Sequence, residues 1–313
     1  MEQKKPILFD KFTPVNYRYQ KIMYCKKCGR YTSIENITCP KCGHNNLITM
    51  DKHNERAVKM RSQADLLIML ALFFVSIIVA RSKYEIALSI GAGVFFTIIL
   101  ILIHKKYMES EKALNLYKIF TNSFQDIKQG LDMDEAKALK KMKDTNFKQA
   151  YEDLREIGVL LQDDRIKENK LLCLSNFVLR KDEDLELDSL ILSYYSPILV
   201  NYIDEVLKLN RTLVRRNVID YIIKYEGYIL QMKNGQDILG NVAGAAVNSK
   251  QNIILYKDFI MRYIDVLPKD RIVRLHNITR DSNLKELNDI YAETREVIDY
   301  RFGTDNDIKK IMY

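Results

Sequence analysis

Two apolar runs separated by only five residues constrain this chain more than any other feature. Ala64–Ala80 reads ADLLIMLALFFVSIIVA, with one charge near its start, and Ile86–Ile103 reads IALSIGAGVFFTIILILI, with none. At about 1.5 Å per residue each helix would reach ~25–27 Å, enough for a hydrocarbon core with snorkelling flanks. Both runs are apolar on every face, unlike a surface helix with one apolar stripe. The linker, Arg81–Glu85, leaves room only for a tight hairpin. Some sixty mostly polar residues precede the first run, which argues against a cleaved signal peptide. The expectation is an integral membrane hairpin of two spans, with a buried soluble hairpin as the bland alternative.

Charge is zoned around this hairpin. Residues 1–64 hold thirteen Lys/Arg against five Asp/Glu, residues 65–106 four against two, and residues 107–313 thirty-two against thirty-four. The basic excess therefore belongs to the N-terminal zone and the hairpin flanks, and the pI says nothing of nucleic-acid binding by the large C-terminal region. Lys52, Arg56, Lys59 and Arg61 precede the first run and Lys105 and Lys106 follow the second, whereas the linker has Arg81 and Lys83 beside Glu85. That bias predicts a multi-pass cell-membrane protein with both termini cytosolic. Ser89, Gly93 and Thr97 share one face of the second run and permit close backbone approach, either within the hairpin or in a homo-oligomer.

Four of the five cysteines form two knuckles, Cys25-x2-Cys28 and Cys39-x2-Cys42, ten residues apart. Paired CxxC spacing points to a reducing compartment and a metal clip, not a disulfide scaffold. Gly29 and Gly43 follow the knuckles and let the backbone curl so that N–H groups face the sulfurs. Two facing knuckles supply four thiolates to one ion, a closed tetrahedral structural site with no open position for catalysis. His44 and His53 lie nearby, but His44 reads as a turn residue rather than a fifth ligand. The flanks YRYQKIMYC and HNNLITM look like short strands. Over about residues 20–50 this pattern resembles the zinc-ribbon family, with CxxCG and CPxCG knuckles at the tips of small β-hairpins. The resemblance implies one structural zinc held by Cys25, Cys28, Cys39 and Cys42; it does not imply a particular activity, because zinc ribbons serve many functions. A redox switch at the thiols is the sharper alternative. Cys173, in an apolar stretch, reads as a buried core thiol.

From His104 onward the pattern is helical and polar. KKYMESEKALNLYKIFTNSFQDIKQG continues out of the second run, with Gly130 as a helix stop. Thr145 reads as an N-cap before Phe147, Tyr151 and Leu154, and Ser196-Pro197 as an N-cap with proline in the first turn. NRTLVRRNVIDYIIKYEGYILQMKNG predicts one amphipathic helix ending near Gly235. SKQNIILYKDFIMRYIDVLP predicts another between Ser249 and Pro268, and Ser282 opens a last one. LGNVAGAAVNS (239–249) is a loop, a close helix crossing or a flexible binding segment. Little or no sheet is expected after the hairpin. The predicted fold is mainly α: an N-terminal segment at 1–63 with a small β zinc ribbon at its core (20–50), a two-helix transmembrane hairpin at 64–104, and an all-α domain at 105–313, either a bundle or a short α-solenoid.

No phosphate loop, nucleophile elbow or zinc-protease helix occurs in the sequence. Asp163, Glu168 and Lys170 form a superficial nuclease-like trio that suits a solvated helix start. The functional expectation is a non-enzymatic scaffold, regulator or accessory subunit acting through protein–protein contacts at the cytosolic membrane face, with ribbon and helical domain as independent modules. The alternatives are a membrane-tethered nucleic-acid binder using Lys26, Lys27, Arg30 and Lys41 of the basic ribbon zone, and an enzyme of unrecognised type in the helical domain. Tyr221, Tyr225 and Tyr228 beside Arg211, Arg215, Arg216 and Lys224 could stack on bases, but at helical spacing the tyrosines read more simply as core and boundary residues. Low Gly/Pro content and Lys/Asn/Ile richness fit a bacterial protein.

Overall fold

A computed structural model of the chain describes residues 4–17, 19–34, 38–182, 185–280 and 287–303. In chain order the elements are β1 (Lys5–Pro6), β2 (Met23–Cys25), β3 (Tyr31–Thr32), β4 (Leu47–Thr49), α1 (Met50–Val79), α2 (Lys83–Asn122), α3 (Phe124–Lys143), α4 (Phe147–Gly158), α5 (Asp164–Leu174), β5 (Phe177–Val178), α6 (Pro197–Leu209), α7 (Arg216–Lys224), α8 (Glu226–Ile229), α9 (Gly235–Ala246), α10 (Lys250–Leu255), α11 (Lys257–Arg262), α12 (Lys269–Arg280) and α13 (Asn288–Phe302). The fold is mainly helical. Its described residues divide into two compact units: one comprises Lys11–Asp144 and Asp153–Leu161, and the other holds the rest.

In the first unit β2 is the centre of a three-stranded antiparallel sheet, β3-β2-β4, with Tyr24 opposite both Tyr31 and Ile48. The two flanks of the cysteine knuckles are thus strands of one sheet. β4 passes into α1 without a linker: Thr49 caps the helix, its hydroxyl accepting from Lys52 N at 3.4 Å. Ser82 caps α2 in the same way, accepting from Glu85 N, while the Glu85 carboxylate reaches back to Arg81 N at 2.8 Å. The turn between the two helices is three residues, 80–82.

Both α1 and α2 are long and apolar enough to cross a membrane, and nothing within their most apolar windows is buried by protein. They pack antiparallel. Asn54 Nδ2 donates to Lys112 O and Asn115 Nδ2 to Asn54 Oδ1, each at 2.8 Å, and His104 Nε2 lies 3.4 Å from Asp65 Oδ2. Further along, Gly93 faces Phe73, whose ring would lie 2.1 Å from an added Cβ. The small-residue face of α2 is therefore occupied, at Gly93, by α1 of the same chain. Thr97 Oγ1 turns inward on its own helix and donates to Gly93 O at 2.7 Å.

The core of this unit sits beneath the sheet. Ile22, Tyr31, Met50, Ile127, Leu131 and Leu160 are buried together, with Leu116, Ile119 and Phe120 of α2 against them. Gly130 lies inside α3 and does not stop it. A Cβ there would sit 2.3 Å from the Tyr31 carbonyl oxygen, so the residue is glycine because β3 crosses the helix at that point.

In the helical unit α9 is the central element. Ile238–Gly240 and Val242–Ala246 are all buried, and α6, α7, α8, α11 and α12 pack around it. A Cβ on Gly240 would meet Val266 Cγ2 at 2.8 Å, and one on Gly244 would meet Arg271 Cγ at 3.1 Å. The glycine-alanine stretch is thus the close helix crossing among the three readings of 239–249. Ser196 caps α6 with proline in its first turn, and Ser249 caps α10. Three expectations are corrected. Thr145 is not a cap but a left-handed turn residue at φ 59°, and Asn146 receives the first helical bond of α4 from Ala150 N at 3.1 Å. The single helix expected over 210–235 is a 3-10 turn followed by α7 and α8, and Gly235 begins α9 instead of ending a helix. The helix expected over 249–268 is α10, α11 and a 3-10 turn. In both cases tyrosines stand between the short helices: Tyr256 and Tyr263 are buried, and half-buried Tyr225 donates its hydroxyl to Ser193 O at 2.7 Å, so tertiary contacts override a continuous local pattern. Ser282 lies outside the described residues.

Candidate metal centre

The two cysteine knuckles have the same hydrogen-bond pattern. Cys25 N donates to Arg30 O and Gly29 N to Cys25 O; Cys39 N donates to His44 O and Gly43 N to Cys39 O; all four bonds are 2.9 Å. Each loop turns back through a glycine of positive φ, +71° at Gly29 and +69° at Gly43, where a side chain would be strained. The local sequence therefore builds two equivalent loops, and the β2–β3–β4 sheet sets them face to face.

The four sulfurs lie within 4.8 Å of one another. Cys25 Sγ to Cys42 Sγ and Cys28 Sγ to Cys39 Sγ are each 3.7 Å. These distances are far longer than a disulfide of about 2.05 Å. They match the edge of a tetrahedron with metal–sulfur bonds of about 2.3 Å, roughly 3.8 Å. The donor set and its spacing fit a metal ion, zinc being consistent with both. The arrangement is compatible with a zinc ribbon. Cys25 and Cys39 are buried, and Cys28 and Cys42 are half-buried. Burial opposes ionisation of Cys39, yet the N–H groups of Cys42 and Lys41 aimed at its sulfur outweigh it and hold the thiol at about 6. Burial pushes Cys28 up to about 11.

His44 is exposed and outside the cluster. Its Nδ1 lies 2.7 Å from Cys42 O, and Lys27 Nζ approaches its other ring nitrogen. His53 is stacked on Tyr24 with ring centroids 4.1 Å apart, and burial lowers its pKa. Neither histidine competes for the ion.

The residues that fix the clip are on α3, and the sequence pattern did not single them out. Asp134 has no exposed surface. Its carboxylate accepts from Arg30 Nη2 at 2.6 Å, from Thr32 Oγ1 at 2.7 Å and from Ser33 N at 3.0 Å. Arg30 Nη2 also reaches Gly130 O at 3.2 Å, and Lys137 Nζ donates to Pro40 O of the second knuckle. Both knuckles are thus tied to one helix. Burial raises the Asp134 pKa against the pull of Thr32, Ser33, Arg30 and Lys137. Gly130 and Asp134, four residues apart and so on one helix face, were the available signal.

The other sequence candidates separate. Asp163 caps α5 through Arg165 N at 3.0 Å, Glu168 accepts from Tyr194 Oη at 2.8 Å, and Lys170 pairs with Glu186. The trio shares no site. Cys173 is buried with its thiol pushed up to about 12, as befits a core position. Tyr221 is buried and donates to Tyr194 O at 3.0 Å, Arg211 pairs with Asp270 at 2.8 Å and Arg215 with Asp188 at 2.9 Å.

No protein-family model, curated protein or solved structure matches the chain.

Proposed function

We propose that this chain is a membrane-anchored, zinc-clipped protein without enzymatic activity, acting through protein–protein contacts as a scaffold, regulator or accessory subunit. The observation that carries the reading is the way the clip is mounted. β4 runs without a break into α1, only Ser123 separates α2 from α3, and α3 returns to both knuckles through Asp134 and Lys137. A four-thiolate ion here would be structural, holding the knuckles as a rigid surface at the base of the two apolar helices. The basic residues at the outer ends of those helices favour both termini on the cytosolic side.

The nucleic-acid alternative is weakened at one of its four bases. Arg30 is 7% exposed and engaged with Asp134, so it offers no phosphate contact.

The test uses full-length tagged protein. Resistance of the chain to alkaline carbonate extraction from membranes, near one zinc per chain by elemental analysis, and a defined protein partner lost from a Cys25→Ser/Cys28→Ser control would support the proposal. Extraction by carbonate, absence of metal, or recovery of nucleic acid in place of protein would overturn it.

A further inference from the structure

The first described residues do not belong with the cysteine clip that follows them in sequence. They pack in the helical unit. Lys5 and Pro6 pair in parallel with Phe177 and Val178, making a two-stranded sheet, β1-β5. Phe9 inserts between aromatic rings, 4.6 Å from Tyr151 and 5.5 Å edge-on to Phe177. Lys4 pairs with Glu205 of α6, Asp10 N donates to Glu152 Oε1 at 2.9 Å, and Lys148 Nζ lies 3.3 Å from Asp10 Oδ1.

These contacts are those of a bound peptide. An extended segment pairs with a short strand, an aromatic side chain packs against two further rings, and charges at both ends fix the register. The segment itself is thinly covered: Lys4, Pro6, Leu8 and Asp10 are exposed, Leu8 at 63% despite its apolar side chain. Pro6 lacks an N–H and so limits further pairing along the outer edge of β1.

We infer that the groove along β5 is a recognition site for extended peptide segments, which residues 4–10 occupy in cis as a releasable arm. The partner it fits is a segment with a cation five residues before an aromatic, followed at once by an acid. Tyr151 and Phe177 take the aromatic, Glu205 the cation and Lys148 the acid. Because the arm is tethered, its effective concentration is on the order of millimolar, and a partner must outcompete it.

The probe is a fluorescein-labelled peptide of residues 4–12, titrated by anisotropy into full-length protein. The unaltered chain should bind it weakly, and a Phe9→Ala chain at least tenfold more tightly. A peptide carrying Phe9→Ala should bind neither. Lys4→Glu in the chain alters only the exposed ion pair and provides a second variant whose fold is not at risk. It should tighten probe binding severalfold, and Glu205→Lys should shift preference to a peptide carrying Lys4→Glu. Equal affinity for unaltered and variant chains, or no binding to a Lys4→Glu or a Phe9→Ala chain with native circular dichroism, would overturn the inference.

Discussion

Replacing Asp134 with alanine tests how the clip is held. The substitution removes the acceptor for Arg30 Nη2, Thr32 Oγ1 and Ser33 N in one step. Arg30 is left charged with 5% of its side chain exposed. Breaking a buried ion pair from one side costs about 3–5 kcal/mol. The stranded hydroxyl and N–H fall within that range only if water reaches them, so the lower bound is about 3 kcal/mol, a large share of a domain's ~5–15 kcal/mol. Arg30→Ala should cost less. The Asp134 carboxyl keeps two donors, and burial already raises its pKa, so it can take up a proton instead of remaining an unpaired charge. The sign follows from linkage: a carboxyl with a raised folded pKa binds protons in the folded state, so stability falls as pH rises from its unfolded value near 3.9 through the folded value. The gap between Arg30→Ala and the unaltered chain should therefore widen from pH 4 toward neutrality. The double variant Arg30→Met/Asp134→Leu should recover most of the loss, because a well-packed apolar pair removes both stranded charges. Urea unfolding followed by circular dichroism, with hydrogen exchange over residues 124–143 to locate the effect, supplies the numbers. An Asp134→Ala loss below about 1 kcal/mol, or an Arg30→Ala loss equal to it, would refute this account of the docking.

Gly130→Ala separates helix propensity from tertiary contact. In an open helix it would stabilise by about 1 kcal/mol, but the Tyr31 carbonyl stands 2.3 Å from the new Cβ, so a net loss of about 1–3 kcal/mol is expected in urea unfolding. In the helical unit, burial would raise the Glu226 pKa, but Arg262, at 3.0 and 2.8 Å, and Tyr263, at 2.6 Å, hold the carboxyl below its usual range. A depressed folded pKa gives stability that is present above about pH 4.3 and lost as pH falls through the folded value. Glu226→Gln should flatten that part of the acid-unfolding curve.

Local patterns carried much of this architecture. The cysteine knuckles, the paired flanking strands, the apolar hairpin and the Ser196-Pro197 helix start each depend on residues close in sequence, and each appears where the pattern put it. What escaped was tertiary. Gly130 looked like a helix stop because the carbonyl that requires it lies about a hundred positions away. Arg30 looked like one more surface base because its partner, Asp134, is equally remote. The tyrosine-rich helices broke at Tyr225, Tyr256 and Tyr263, whose tertiary contacts periodicity does not report. Lys5–Pro6 carried no strand signal, since two residues ending in proline pair only where a neighbouring edge is already in place.

The long span between the clip and its fastener bears on the order in which the protein is made. Arg30 and Asp134 are 104 positions apart, so at roughly 5–20 residues per second a ribosome takes about 5–20 s to deliver the second after the first. For most of that interval, from Cys42 onward, all four cysteines have been synthesised while the helix that secures their loops does not yet exist. Both apolar helices must be synthesised inside the same window. Completion of the clip therefore comes after synthesis of the hairpin, because α3 follows both apolar helices in the chain.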